Sequence, residues 1–167
     1  MSASPEPRPA LLDPVLRDPG AGDLFPYFDA HLERVIARSE TYDALNVLRL
    51  TLTPDGAPPL HMHTREDETW VVLDGEVKFW TGGQNLAACD TGVLGSGGVA
   101  YGPRLVPHTF QSQTPTAEVL IITTPGFFED HMLAIGTTAQ SKYTNTVEEI
   151  AKFGVTVLDR PPVYGQD

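Results

Sequence analysis

His61-Met62-His63, Glu68 and Pro107-His108 are the residues whose types and spacing can do chemistry in this chain. Three imidazoles and a carboxylate are the usual donor set for a divalent transition metal. Side chains of an extended strand alternate faces, so His61 and His63 project the same way with Cα atoms ~6.6 Å apart. That spacing suits two adjacent ligands on one ion. Glu68 and His108 lie further along, so separate strands must bring them to the same point. The expectation is one divalent ion held by His61, His63, Glu68 and His108 inside a small β-barrel.

Positioning such a set requires many short strands, and the chain supplies them. In Asn46–Thr53, Leu48, Leu50 and Leu52 share one face while Arg49 and Thr51 take the other. Further strand-like runs are Leu60–Thr64, Glu68–Leu73, Val77–Thr81, Asn85–Cys89, Val99–Tyr101, His108–Gln113 and Glu118–Thr123. A weaker first strand falls at His31–Ser39. Turns separate these runs at Pro54-Asp55-Gly56, Asp74-Gly75, Gly82-Gly83, Gly97-Gly98 and Thr114-Pro115. After Pro125 the pattern turns helical, over Phe127–Ile135 and Thr146–Phe153. Thr144, Asn145 or Thr146 is the expected N-cap of the second helix, Gly154 its stop, and Val155–Leu158 a final strand. The predicted organisation is a proline-rich arm over 1–22, a barrel over 23–125, and a helical extension over 126–167 packed on the barrel.

Strand parity places His108 with Phe110 and Ser112, and Glu68 with Trp70 and Val72. Leu48, Leu50, Trp70, Phe79 and Phe110 are the expected apolar walls of the ion's pocket. Glu66 and Asp67 read as solvent-facing or supporting groups rather than ligands. His31 and His131 read as surface or satisfied core residues, and Phe127-Phe128 as helix-packing anchors.

The chain has 167 residues and a formal net charge of −11, enough length for one domain with a real core. The acidic balance argues against nucleic acid and anionic membranes as partners, since phosphate binding needs a cationic face. A single cysteine, Cys89, excludes an intramolecular disulfide and a Cys-based zinc site. With no apolar run of signal-peptide or membrane-span length, the expectation is a cytoplasmic protein.

The stretch from Gly56 through His61, His63 and Glu68 to Gly75 resembles the first cupin motif: a glycine, HxH, a glutamate, and a glycine seven residues past it. Gly98–Ser112, with Pro103, Leu105 and His108, resembles the second, except that Leu105 stands where a glycine is usual and Ser112 where an asparagine is. The tail from Thr124-Pro125-Gly126 resembles single-domain cupins of the quercetin dioxygenase-like type. The resemblance implies an all-β jelly-roll barrel with short C-terminal helices, and one iron, manganese, nickel, cobalt, copper or zinc ion. It implies a small-molecule substrate and a homodimer. The activity it implies first is a dioxygenase of secondary metabolism acting on an enolic, phenolic or flavonol-like molecule, with Glu68 both ligand and general base. A non-redox cyclase or isomerase, as in polyketide pathways, is the alternative.

Overall fold

The computed structural model describes residues 12–27, 30–137 and 146–166. The first half of the arm, together with Thr144 and Asn145, lies outside the described residues. In chain order the elements are β1 (Asp23–Tyr27), β2 (Ala30–Ile36), β3 (Asn46–Leu52), β4 (Leu60–His63), β5 (Asp67–Asp74) and β6 (Val77–Thr81). There follow β7 (Asp90–Leu94), β8 (Val99–Gly102), β9 (His108–Ser112), β10 (Ala117–Thr124), α1 (Phe128–Thr137), α2 (Val147–Lys152) and β11 (Val155–Asp159). One antiparallel sheet runs β1-β2-β3-β10-β5-β8 and the other β11-β4-β9-β6-β7. The jelly-roll expectation holds, with one refinement: the strands form two sheets and their hydrogen bonding does not close into a barrel.

Alternation builds the core. On β3, Leu48, Leu50 and Leu52 are buried; on β10, Ala117, Val119 and Ile121; on β5, Trp70 and Val72. Val77 and Phe79 of β6 and Phe110 of β9 complete the same apolar cluster from the second sheet. Fully burying side chains of this size stabilises by ~1.5–3 kcal/mol each. The same parity carries polar residues inward at one end of the first sheet. Thr123 of β10 is in register with Asn46 on one side and Glu68 on the other, and its hydroxyl donates to Asn46 Oδ1 at 2.6 Å.

Two strands differ from the sequence expectation. Asn85–Cys89 is not a strand: Leu86–Ala88 forms a short 3-10 turn closed by the Asn85 side chain, which accepts from the Ala88 amide at 3.1 Å. The strand comes next, as the exposed edge β7, whose Asp90, Thr91 and Gly92 carry no hydrophobic alternation. β1 precedes the first expected strand and contains Pro26. It is an edge strand, where a missing amide proton leaves no ladder bond unmade.

The C-terminal expectations hold more closely, with one change of role. Thr146 caps α2 by accepting from the Glu149 amide at 3.3 Å, and Gly154, at φ +81°, ends it. β11 then joins the second sheet beside β4 instead of packing on the outside, with Val155 opposite His63 and Val157 opposite His61. The described part of the arm is pinned by Arg17, which donates to Glu40 at 2.6 and 2.9 Å and to the Val35 carbonyl.

Leu105, the residue replacing the motif glycine, has φ +67° and is largely exposed, while its amide donates to the His63 carbonyl at 2.7 Å. An L-residue in this left-handed region is disfavoured by ~1–2 kcal/mol, and glycine is not. Glycine's extra unfolded-state entropy returns part of that. Leu105→Gly is therefore expected to raise unfolding stability by about 0.5–1 kcal/mol in chemical denaturation, whereas Leu105→Val lowers it. Equal destabilisation by both would contradict this account.

Candidate metal centre and its cavity

The two motifs meet where β4, β5 and β9 face one another. His61 and His63 lie on β4, Glu68 on β5 and His108 on β9, with His61 directly paired to His108. One donor atom from each of these four buried residues lies within 4.8 Å of every other. The His63 and His108 rings stack at 5.3 Å with an 11° interplanar angle, and His61 meets both edge-on. Close approach is helped by Gly102, in register with Glu68: a Cβ there would lie 3.0 Å from the Trp70 ring and 3.1 Å from His108 Nδ1. Trp70 in turn meets the His108 ring edge-on at 5.0 Å.

Local backbone fixes two of the rings. His61 Nδ1 donates to the Pro59 carbonyl at 2.7 Å and His108 Nδ1 to that of Val106 at 3.0 Å. A carbonyl can only accept, so both nitrogens carry the proton and Nε2 keeps its lone pair. His63 is supported differently. Glu66, wholly buried, places Oε2 3.6 Å from its Nδ1, while Glu68 Oε2 lies 3.0 Å from its Nε2. The two carboxylates stand on opposite sides of one ring. Glu66 is thus the outer partner of a ligand, and Asp67 is elsewhere engaged, holding Arg104 by two side-chain contacts at 3.0 Å and by its amide at 2.9 Å.

The buried donor atoms want a cation. His63 Nε2, His108 Nε2 and Glu68 Oε2 have no hydrogen-bond partner among the described residues, although His63 and His108 each approach Glu68 to 3.0 and 3.2 Å. A buried polar atom left unpaired costs ~1–3 kcal/mol, so this arrangement fits an ion bonded to all of them. The two carboxylates favour positive charge here. Burial works to lower His63, yet Glu68 and Glu66 outweigh it and lift the imidazole to about 9. Burial works to raise Glu68, yet His63 and His108 hold it well below the usual carboxylate range. Burial together with the charges of His108 and His63 keeps His61 well below its ordinary value. Glu66 and Glu68 thus draw positive charge to this point, a charge that a bound ion would supply in place of the His63 proton, and the four residues form a buried metal-binding group.

Above this group opens a cavity of about 480 Å³. His61 and Glu68 line it, with Phe110 and Ile121 from the sheets, Tyr27 from β1, and Ala57, Pro58 and Pro59 from the turn before β4. Of the walls expected from sequence, only Phe110 lines it. Leu48, Leu50, Trp70 and Phe79 sit in the apolar core instead. The missing wall is C-terminal: Phe128, His131 and Met132 of α1, Val147 and Ile150 of α2, and Val155 and Val157 of β11. Positions 128, 131 and 132 share one helix face. That face is held inward because Glu129 accepts from the Arg38 amide at 2.8 Å and from Arg34 at 3.2 Å. Phe128 is accordingly a cavity wall, and His131 is buried with its Nδ1 unpaired among the described residues. The spacing 128-131-132 was the available signal, but it cannot say which surface a helix covers.

Comparison with known proteins agrees with this geometry. The family model described as a cupin domain matches residues 48–124, a span containing all four ligands. A quercetin 2,3-dioxygenase of Aspergillus japonicus is 37% identical over 79 residues, 47% of this chain and 22% of that protein. One of Bacillus subtilis is 24% identical over 124 residues, 74% of this chain and 35% of that protein. The matched part therefore spans between a fifth and just over a third of these relatives. Among solved structures, KdgF from Halomonas sp. aligns with TM-score 0.55 at 17% identity, over 66% of this chain and 92% of that one. Residues 48–124 thus match the cupin domain, and over that part the chain resembles quercetin dioxygenases.

Outer carboxylates that orient a ligating imidazole are worth roughly 10–100-fold in metal affinity. Glu66→Gln is expected to weaken zinc or cobalt binding by about that factor in competition with a chromophoric chelator, leaving the far-ultraviolet circular dichroism unchanged. Unaltered affinity would show that Glu66 does not support His63.

Proposed function

We propose that this chain is a metal-dependent oxygenase acting on an uncharged, largely apolar small molecule that presents an enolic or phenolic oxygen to the His61–His63–Glu68–His108 group. The observation carrying this reading is that the group opens into a cavity whose described lining contains no Lys or Arg and is otherwise almost wholly apolar. Such walls leave an anionic substrate without a counter-charge and suit an aromatic one. The volume falls within the ~300–1,000 Å³ typical of small-molecule sites. The named activity of the two relatives is consistent with it.

His61, His63, Glu68 and His108 would hold a redox-active divalent ion, which would bind the substrate oxygen and supply the dioxygen chemistry. The protein's own part falls chiefly to Glu68. It lines the cavity while belonging to the ligand group, so one carboxylate reaches both the ion's position and an incoming hydroxyl. Glu68 takes the hydroxyl proton as general base. Phe110, Phe128 and Met132 exclude water that would otherwise compete for the reactive centre.

Oxygen uptake by the metal-reconstituted chain with a flavonol tests the assignment. Stoichiometric consumption is expected, falling by about 10²–10⁴-fold in Glu68→Gln, with metal content checked by elemental analysis. Uptake unchanged in that variant would remove Glu68 as the base. Turnover that persists under strict anaerobiosis would replace the oxygenase with Lewis-acid cyclisation or isomerisation.

The proposal includes a homodimer. Val99 and Tyr101 are 60% and 61% exposed on β8, the edge of the six-stranded sheet, and a second copy would cover them. Sedimentation is expected to give a dimer that Tyr101→Lys dissociates. A monomer at every concentration would end that part of the proposal.

A further inference from the structure

His131 is the cavity's unexplained polar residue. It is 7% exposed, lies on the inward face of α1 between Phe128 and Met132, and lines the cavity. Its ring centroid is 5.4 Å from that of Phe128 and 5.1 Å from that of Phe153, so aromatic carbon flanks it. No side chain or carbonyl among the described residues hydrogen-bonds it, and Nδ1 is wholly buried without a partner. It is not part of the metal-binding group: the Phe128 ring, 4.5 Å from His63, stands next to both.

An imidazole buried in apolar surroundings without a partner is destabilising, and replacing it by a hydrocarbon of similar shape would relieve the cost. Its position in a ligand cavity supplies a reason for that cost. Burial, with the His63 charge as a smaller cause, depresses His131 to about 4, so the ring is neutral at ordinary pH. A neutral ring offers one N–H donor and one lone pair, which suit a hydroxyl or carbonyl and give a carboxylate no counter-charge.

We propose that His131 is the second polar anchor of the cavity, hydrogen-bonding a hydroxyl or carbonyl of an aromatic ligand whose first oxygen faces the His61–His63–Glu68–His108 group. This rests on reading the cavity as a substrate site and narrows the substrate class. The ligand carries two oxygen functions separated by an apolar body, and a mono-oxygenated analogue forgoes one contact. His131 thereby sets specificity for the second oxygen.

The test uses the zinc-loaded full chain with ¹⁵N-labelled histidine, titrated with 2-naphthol and with a series of dihydroxynaphthalenes. At least one dihydroxy isomer is expected to bind about 2- to 10-fold more tightly than 2-naphthol, the worth of one hydrogen bond. The same isomer should move the His131 ring nitrogen resonances, and 2-naphthol should not. In His131→Phe the ratio of that isomer's affinity to that of 2-naphthol should fall to about one. His131→Gln should restore part of it. Binding that moves the methyl resonances of Ile121, Met132 and Val155 but leaves the His131 nitrogens still overturns the inference and spares the substrate-site reading. An advantage that survives in His131→Phe does the same. If no probe moves those methyls, the cavity takes no such ligand and both readings fall.

Discussion

Everything in this molecule that bears on chemistry depends on three imidazoles and a carboxylate buried together with their donor atoms facing inward. In the absence of a cation such a cluster is self-opposing, because burial disfavours every charged form and leaves donor atoms unpaired. It persists because the surrounding backbone over-determines it. The carbonyls of Pro59 and Val106 hold two rings by their outer nitrogens, and Glu66 stands behind the third. The fold therefore spends stability to keep Nε2 atoms and one carboxylate oxygen aimed at one point, which is what pre-organisation for an ion requires.

That constraint explains otherwise odd choices around the site. Gly102 leaves room where a side chain would crowd Trp70 and His108. β11, last in the sequence, pairs with the HxH strand, so the C-terminal segment both braces the ligands and contributes the cavity wall. The amide of Leu105 ties the loop ahead of His108 to the His63 carbonyl, linking the two motifs directly. Here a leucine tolerates positive φ at a position where the backbone hydrogen bond, and not the side chain, is what the structure uses.

The legible parts of the sequence were those governed by short-range rules. Alternation on Asn46–Thr53, the strand at Glu118–Thr123, an N-cap among Thr144, Asn145 and Thr146, and the stop at Gly154 are local matters; the structure has strands at Asn46–Leu52 and Ala117–Thr124 and caps α2 with Thr146. Errors arose where local signals were weak or reversed by context. Pro26 is tolerated in β1 because that strand lies at an edge, a property of the sheet, and β7 lacked alternation because both its faces are exposed at an edge. The pocket walls failed for a related reason. Leu48, Leu50, Trp70 and Phe79 do point inward, but inward positions divide between core and cavity by how far along the sandwich they sit.

By itself the sequence determined the donor set, since HxH, the spaced glutamate and the later Pro-His are covalent facts about which ligands alternation can present together. It also determined the strand-rich class, because short strand-like runs separated by turn residues recur through its middle, with clear alternation on Asn46–Thr53. Only the tertiary structure decided that Glu66 backs His63 on the side away from Glu68, that the C-terminal helices roof the cavity, and that His131 faces into it. Those outcomes depend on how distant segments dock, and docking is set by the summed packing of whole surfaces rather than by any residue's near neighbours in the chain.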